Sequence, residues 1–137
     1  MTKKILLISV FISLLGFSAK AQDISGEWRM ISNDGQQIFT IDLIHITKDR
    51  VRGAHCLENF EKEVAECFKR VDTYTVNLMK IAENIFQGKL LSWKGENEIL
   101  LELQVQYLPI DNRLLFKLTK IPEGEFLVPV EGVLQRR

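Results

Sequence analysis

The sequence predicts an all-β fold: an antiparallel up-and-down barrel of about eight strands with one short helical turn near residues 59–67. Apolar and polar residues alternate with a period of two along most of the chain. The clearest case is Ile99, Leu101, Leu103, Val105 and Tyr107 interleaved with Glu98, Leu100, Glu102, Gln104 and Gln106, the pattern of a strand with one buried face. Short turn-forming clusters separate these runs at intervals that suit consecutive antiparallel neighbours. About eight such strands can close on themselves, and closure removes the exposed edges that invite aggregation, so a barrel is favoured over a two-sheet sandwich.

The elements follow in order. Lys3 and Lys4 precede an apolar stretch from Ile5 to Leu15 and then Ala19-Lys20-Ala21, the pattern of a secretory signal peptide over residues 1–21. Residues 22–137 are then a single domain, since about 116 residues support one core and not two. Strands are expected at 25–33, 37–47 and 50–57, with turns at Asn33-Asp34-Gly35 and Lys48-Asp49-Arg50. The helical turn is read from Phe60, Val64 and Phe68. Strands at 73–81, 84–93, 97–107, 113–121 and 127–136 complete the set, punctuated by Gly95 with Asn97, Pro109 through Asn112 and Pro122-Glu123-Gly124. Both faces of 37–47 are apolar: Phe39, Ile41 and Leu43 lie on one, Ile38, Ile44 and Ile46 on the other, so something must cover the second.

Charge narrows the partners. The chain has 18 basic and 18 acidic groups, and removal of residues 1–21 takes Lys3, Lys4 and Lys20 with it, leaving 15 against 18, or −3. No Lys/Arg stripe remains, which speaks against nucleic acid or an anionic membrane surface as partner. No later segment approaches the roughly 20 apolar residues of a membrane-spanning helix, so no transmembrane segment is expected after the signal.

The segment "GAHCLENFEKEVAECFKR" holds both cysteines, His55 and four glutamates. A tight hairpin between 37–47 and 50–57 would put His55 on the face of Asp42 and Ile44, with Cys56 opposite on the face of Ile41 and Leu43. His55 and Cys56 would then point apart, which suits neither a metal nor a nucleophile with its base. A structural zinc site also needs four ligands, and no CxxC spacing is present. The surrounding carboxylates would raise a thiol pKa, against cysteine catalysis. In an exported chain the simplest reading is a Cys56–Cys67 disulfide that staples the acidic loop 57–66. His55 beside Asp42 and His45 at a strand end read as surface and rim histidines. With no GxSxG, no phosphate-cradling glycine loop and no HExxH, the chain is expected to be neither an enzyme nor the holder of a metal or cofactor.

Gly26-Glu27-Trp28 opens the first strand just after the signal segment, ahead of the eight-strand pattern. This resembles the Gly-x-Trp that opens lipocalin and wider calycin barrels, whose tryptophan plugs one end beneath a late arginine. The resemblance implies that Arg136 packs on Trp28. The chain departs from the family in lacking the middle Thr-Asp-Tyr motif and in being shorter. In size, export and single disulfide it is also similar to bacterial lysozyme inhibitors.

Two functions follow as expectations. One is an inhibitor or immunity-type binder of an envelope or secreted protein, using Glu58, Phe60, Glu61 and Glu63 on the stapled loop. The alternative is a lipocalin-like carrier of a small apolar ligand, lined by Trp28, Phe39, Ile41, Leu43, Tyr74, Leu101, Leu103 and Phe116. Either would act in the periplasm or outside the cell.

Overall fold

The computed structural model describes residues 23–94, 96–124 and 126–137, so the signal peptide expected at 1–21 lies outside the described residues. Among the described residues nine strands form: β1 Gly26–Ile31, β2 Gln37–His45, β3 Arg50–Asn59, β4 Val64–Cys67, β5 Val76–Ala82, β6 Ile85–Lys94, β7 Asn97–Leu108, β8 Arg113–Lys120 and β9 Glu131–Arg136. All neighbours are antiparallel. Because β1 pairs with both β2 and β9, and β3 pairs with both β2 and β5, eight strands close into an up-and-down barrel. The extra strand, β4, pairs only with the upper half of β3.

The helical turn expected near 59–67 is instead a β-hairpin. Residues 60–63 form its turn, and β4 returns along β3 with Asn59 opposite Val64 and Leu57 opposite Glu66. The Asn59 side chain accepts a hydrogen bond from the Lys62 N–H, and Glu63 takes a positive φ of 52°, both of which favour reversal over a continuing helix. The four-residue spacing of Phe60, Val64 and Phe68 arises from alternation along a returning strand, where 64, 66 and 68 set the period.

Two strand starts also differ from expectation. β5 begins at Val76, so Thr75 turns inward while Tyr74 stays 40% exposed on the outside beneath Arg52. The last strand begins only at Glu131; Val128 is buried from the loop before it.

One large side chain per inward position fills the barrel. Trp28, Phe39, Phe86 and Phe116 pack with Ile24, Ile41, Leu43, Leu57, Leu78, Leu90, Leu101 and Leu103, all essentially without exposure. Phe39 meets Phe116 edge-on at 5.1 Å. On the outer side of β2 the β4–β5 connection, residues 68–71, flanks a groove with Thr40, Asp42, Ala54 and Cys56, while Ile46 just beyond the strand stays exposed.

Candidate functional site

The β2–β3 connection sets the site. Its loop, residues 47–49 between Ile46 and Arg50, is one residue longer than a two-residue tight turn, with the Ile46 N–H donating to the Arg50 carbonyl and His45 opposite Val51. That places His55 opposite Ile41 and Cys56 opposite Thr40. The expected faces are therefore exchanged: His55 lies inside the barrel, away from Asp42, while Cys56 lies on the outer wall. Adjacent strand residues still point apart, as they must.

Inside, His55 joins a buried polar cluster that no sequence motif announces. Its Nε2 donates to Glu66 Oε2, and its Nδ1 hydrogen-bonds with Thr75 Oγ1 at 2.7 Å. The Ser92 hydroxyl donates to the same carboxylate at 2.9 and 3.0 Å, and the Trp93 backbone N–H donates to Glu66 Oε1 at 3.0 Å. Burial raises the Glu66 pKa, but the bonds from His55 and Ser92, the nearby imidazole charge and the Trp93 N–H outweigh it, so the carboxyl lies below the ordinary value. Phe68 roofs the cluster, stacked 4.8 Å from Trp93 and tilted 5.4 Å from His55.

This cluster closes a seam in the wall. β5 ends its pairing with β6 at Val76 opposite Leu90, and one further backbone bond runs from the Leu91 N–H to the Thr75 carbonyl. Beyond that point the Trp93 N–H meets the Glu66 carboxylate in place of a ladder carbonyl. The Thr75–His55–Glu66 line has the order of a general-base relay, but all three groups are buried, and Thr75 Oγ1 also accepts the His55 backbone N–H. Its evident work is to anchor β4.

On the opposite, outer side of the same hairpin, Cys56 and Cys67 sit directly across from each other and form the disulfide. The bond fits an oxidising compartment. Staple outside and the His55–Glu66 hydrogen bond inside thus fix one hairpin, whose tip presents Phe60 at 52% exposure. Glu61 and Glu63 are exposed beside it, Glu58 is half-buried, and Val64 adds apolar surface. Glu58, Phe60, Glu63 and Val64 border a shallow apolar groove on this face.

The other barrel end is plugged. The Trp28 indole N–H donates to the Ile24 carbonyl at 2.9 Å, and the Arg136 guanidinium lies 4.3 Å over the ring. Arg136 also donates to the Ser25 and Asp23 carbonyls and to Asn112 Oδ1. His45 is a rim histidine here, its Nε2 accepting the Ile24 N–H at 3.1 Å while Nδ1 donates to the Thr47 carbonyl.

Of the expected lining residues, Trp28, Phe39, Ile41, Leu43, Leu101, Leu103 and Phe116 meet in the interior, where they pack on one another; Tyr74 lies outside the wall. The helical spacing of Phe60, Val64 and Phe68 masks Glu66 in the sequence, and the alternation Val64-Glu66-Phe68 is the signal that points to it. No protein-family model, curated protein or solved structure matches the chain.

Proposed function

We propose that this is a non-enzymatic binding protein of an oxidising, exported compartment, of the inhibitor or immunity type, that docks a partner protein on the stapled hairpin 57–66. Export rests on the signal-like residues 1–21 together with the disulfide. The observation that carries the binding reading is Phe60: a phenyl ring left half in water at the tip of a hairpin fixed from both sides. An aromatic side chain on a pre-ordered loop is a natural interface anchor, because little entropy remains to be lost on association. Glu58, Glu61 and Glu63 around it favour a basic target.

In its closed eight-strand barrel and its Trp28–Arg136 plug the chain resembles the lipocalin-like barrels. The carrier function of that family is less well supported here, because the inward residues that would line a ligand fill the interior with one another.

Native mass spectrometry of the protein isolated from its own envelope extract tests the reading. A second polypeptide retained by the wild type and lost with Phe60→Ser supports it. A retained small molecule of a few hundred daltons, unaffected by Phe60→Ser, would replace it with the carrier.

A further inference from the structure

Away from the hairpin, the outer wall of β1 and β9 carries a cation that no described residue neutralises. Trp28 points inward, so Arg29 points out, opposite Thr40 of β2 and Gln135 of β9. The nearest carboxylates in the register are already taken: Glu27 and Asp42 face each other across β1 and β2, and each is held by a different arginine, Glu27 by Arg137 at 3.1 Å and Asp42 by Arg70 at 3.2 Å. Among the described residues no hydrogen bond or ion pair holds the Arg29 guanidinium, and its Nε is both buried and unpartnered. A buried donor without a partner is costly, and a guanidinium presents its donors as a planar fork matched to a carboxylate.

Arg29 sits in a groove of about 390 Å³ that it lines with Ile31, Val133, Gln135 and Arg137. Ile31 and Val133 are 54% and 42% exposed. From Val133 the apolar row runs on to Leu115, its direct partner on β8, and Val133 and Leu115 also line the adjoining groove. A cationic fork therefore stands beside an apolar track crossing β1, β9 and β8, a span of roughly 10 Å at ordinary strand spacing.

We propose that this groove binds a soluble monoanionic amphiphile, with a carboxylate head on Arg29 and Gln135 and an alkyl chain along Ile31, Val133 and Leu115. The site is independent of the hairpin and of the barrel interior. Gln135 donates one amide N–H to the head, and Arg29 supplies two parallel charge-assisted bonds.

Decanoate below its micellar concentration is the probe, titrated into the full chain and followed by backbone amide NMR shifts. The expected result is saturable binding mapped to residues 29–31, 115 and 133–135. Acetate, which lacks the chain, and decyltrimethylammonium, which reverses the head charge, should bind about tenfold more weakly or worse. Arg29→Gln should weaken decanoate binding by a similar factor. So should Val133→Glu, at an exposed position, by placing a competing carboxylate in the groove. Equal binding of the cationic amphiphile, shifts confined to 57–66 or to interior residues such as Phe39, or no saturable shift at all would each overturn the proposal. None of those results would bear on Phe60-dependent retention of a protein partner.

Discussion

The guanidinium of Arg136 in the final strand lies 4.3 Å above the indole of Trp28 in the first, so the two ends of the described chain meet over one ring. This contact reinforces a short β1–β9 ladder, which pairs Trp28 with Arg136 and Arg29 with Gln135 and adds one backbone bond from the Arg137 N–H to the Glu27 carbonyl. Replacing Arg136 with Met keeps the stem but removes the charge and its bonds to the Ser25 and Asp23 carbonyls. Urea unfolding should register a loss of about 2–3 kcal/mol, combining a cation–π contact with charge-assisted hydrogen bonds. An unchanged midpoint would show that β1 and β9 hold without the plug.

Glu66 makes stability depend on acid. Its folded pKa lies below the ordinary 4.5, so the folded state binds fewer protons than the unfolded state as pH falls through that range. The stabilisation is therefore full above about pH 5 and is lost as pH drops through 4.5 toward the folded value. Thermal midpoints measured from pH 6 to pH 3 should fall, and they should fall less steeply in Glu66→Gln. Parallel curves for the two proteins would assign the acid sensitivity to other carboxylates.

Glu66→Leu goes further, leaving the His55 Nε2, the Ser92 hydroxyl and the Trp93 N–H without their acceptor. Breaking a buried ionic cluster from one side should cost about 3 kcal/mol. Hydrogen exchange separates this from general weakening: the Trp93 amide and β4 should lose protection before the β6–β7 ladder does.

The disulfide and the His55–Glu66 hydrogen bond hold the same hairpin from opposite sides. A Cys56→Ser, Cys67→Ser double variant should lose about 2–3 kcal/mol, the chain-entropy value for a short closed loop. The expected local effect is faster exchange in residues 60–67 with the barrel ladders intact. If Phe60 is the anchor, partner retention should weaken in this variant even where the fold survives, because the loop must then be ordered on binding.

Gly88 tests how tightly β5 and β6 approach. A Cβ there would stand 1.8 Å from the Asn77 carbonyl oxygen, a backbone atom that cannot move without disturbing the ladder. Gly88→Ala should destabilise by about 2–3 kcal/mol on denaturant titration, whereas Gly35→Ala, with open space around the position, should show only the smaller cost of its positive φ of 72°.

Legible in the residues alone were the β class, the near-neighbour strand order, the inward set around Phe39, Leu101 and Phe116, and the pairing of Cys56 with Cys67. These follow from local facts: period-two alternation, turn chemistry, and two cysteines close in the chain. The resemblance in Gly26-Glu27-Trp28 supplied the expectation that Arg136 packs on Trp28. Tertiary structure alone decided the rest. One extra residue in the turn, three residues at 47–49 in place of two, inverted the faces of β3 and moved His55 from the surface to the interior, because a strand has only two faces and a one-residue slip exchanges them. Glu66 became a buried ligand of His55 only because β4 folds back where β5 has not yet begun, leaving a gap in the wall that a carboxylate bridges. Arg29 has no counter-ion among the described residues for a similar reason: its nearby acids are claimed by Arg70, brought in by the fold-back of β4 on β3, and by Arg137, brought in by closure of the barrel.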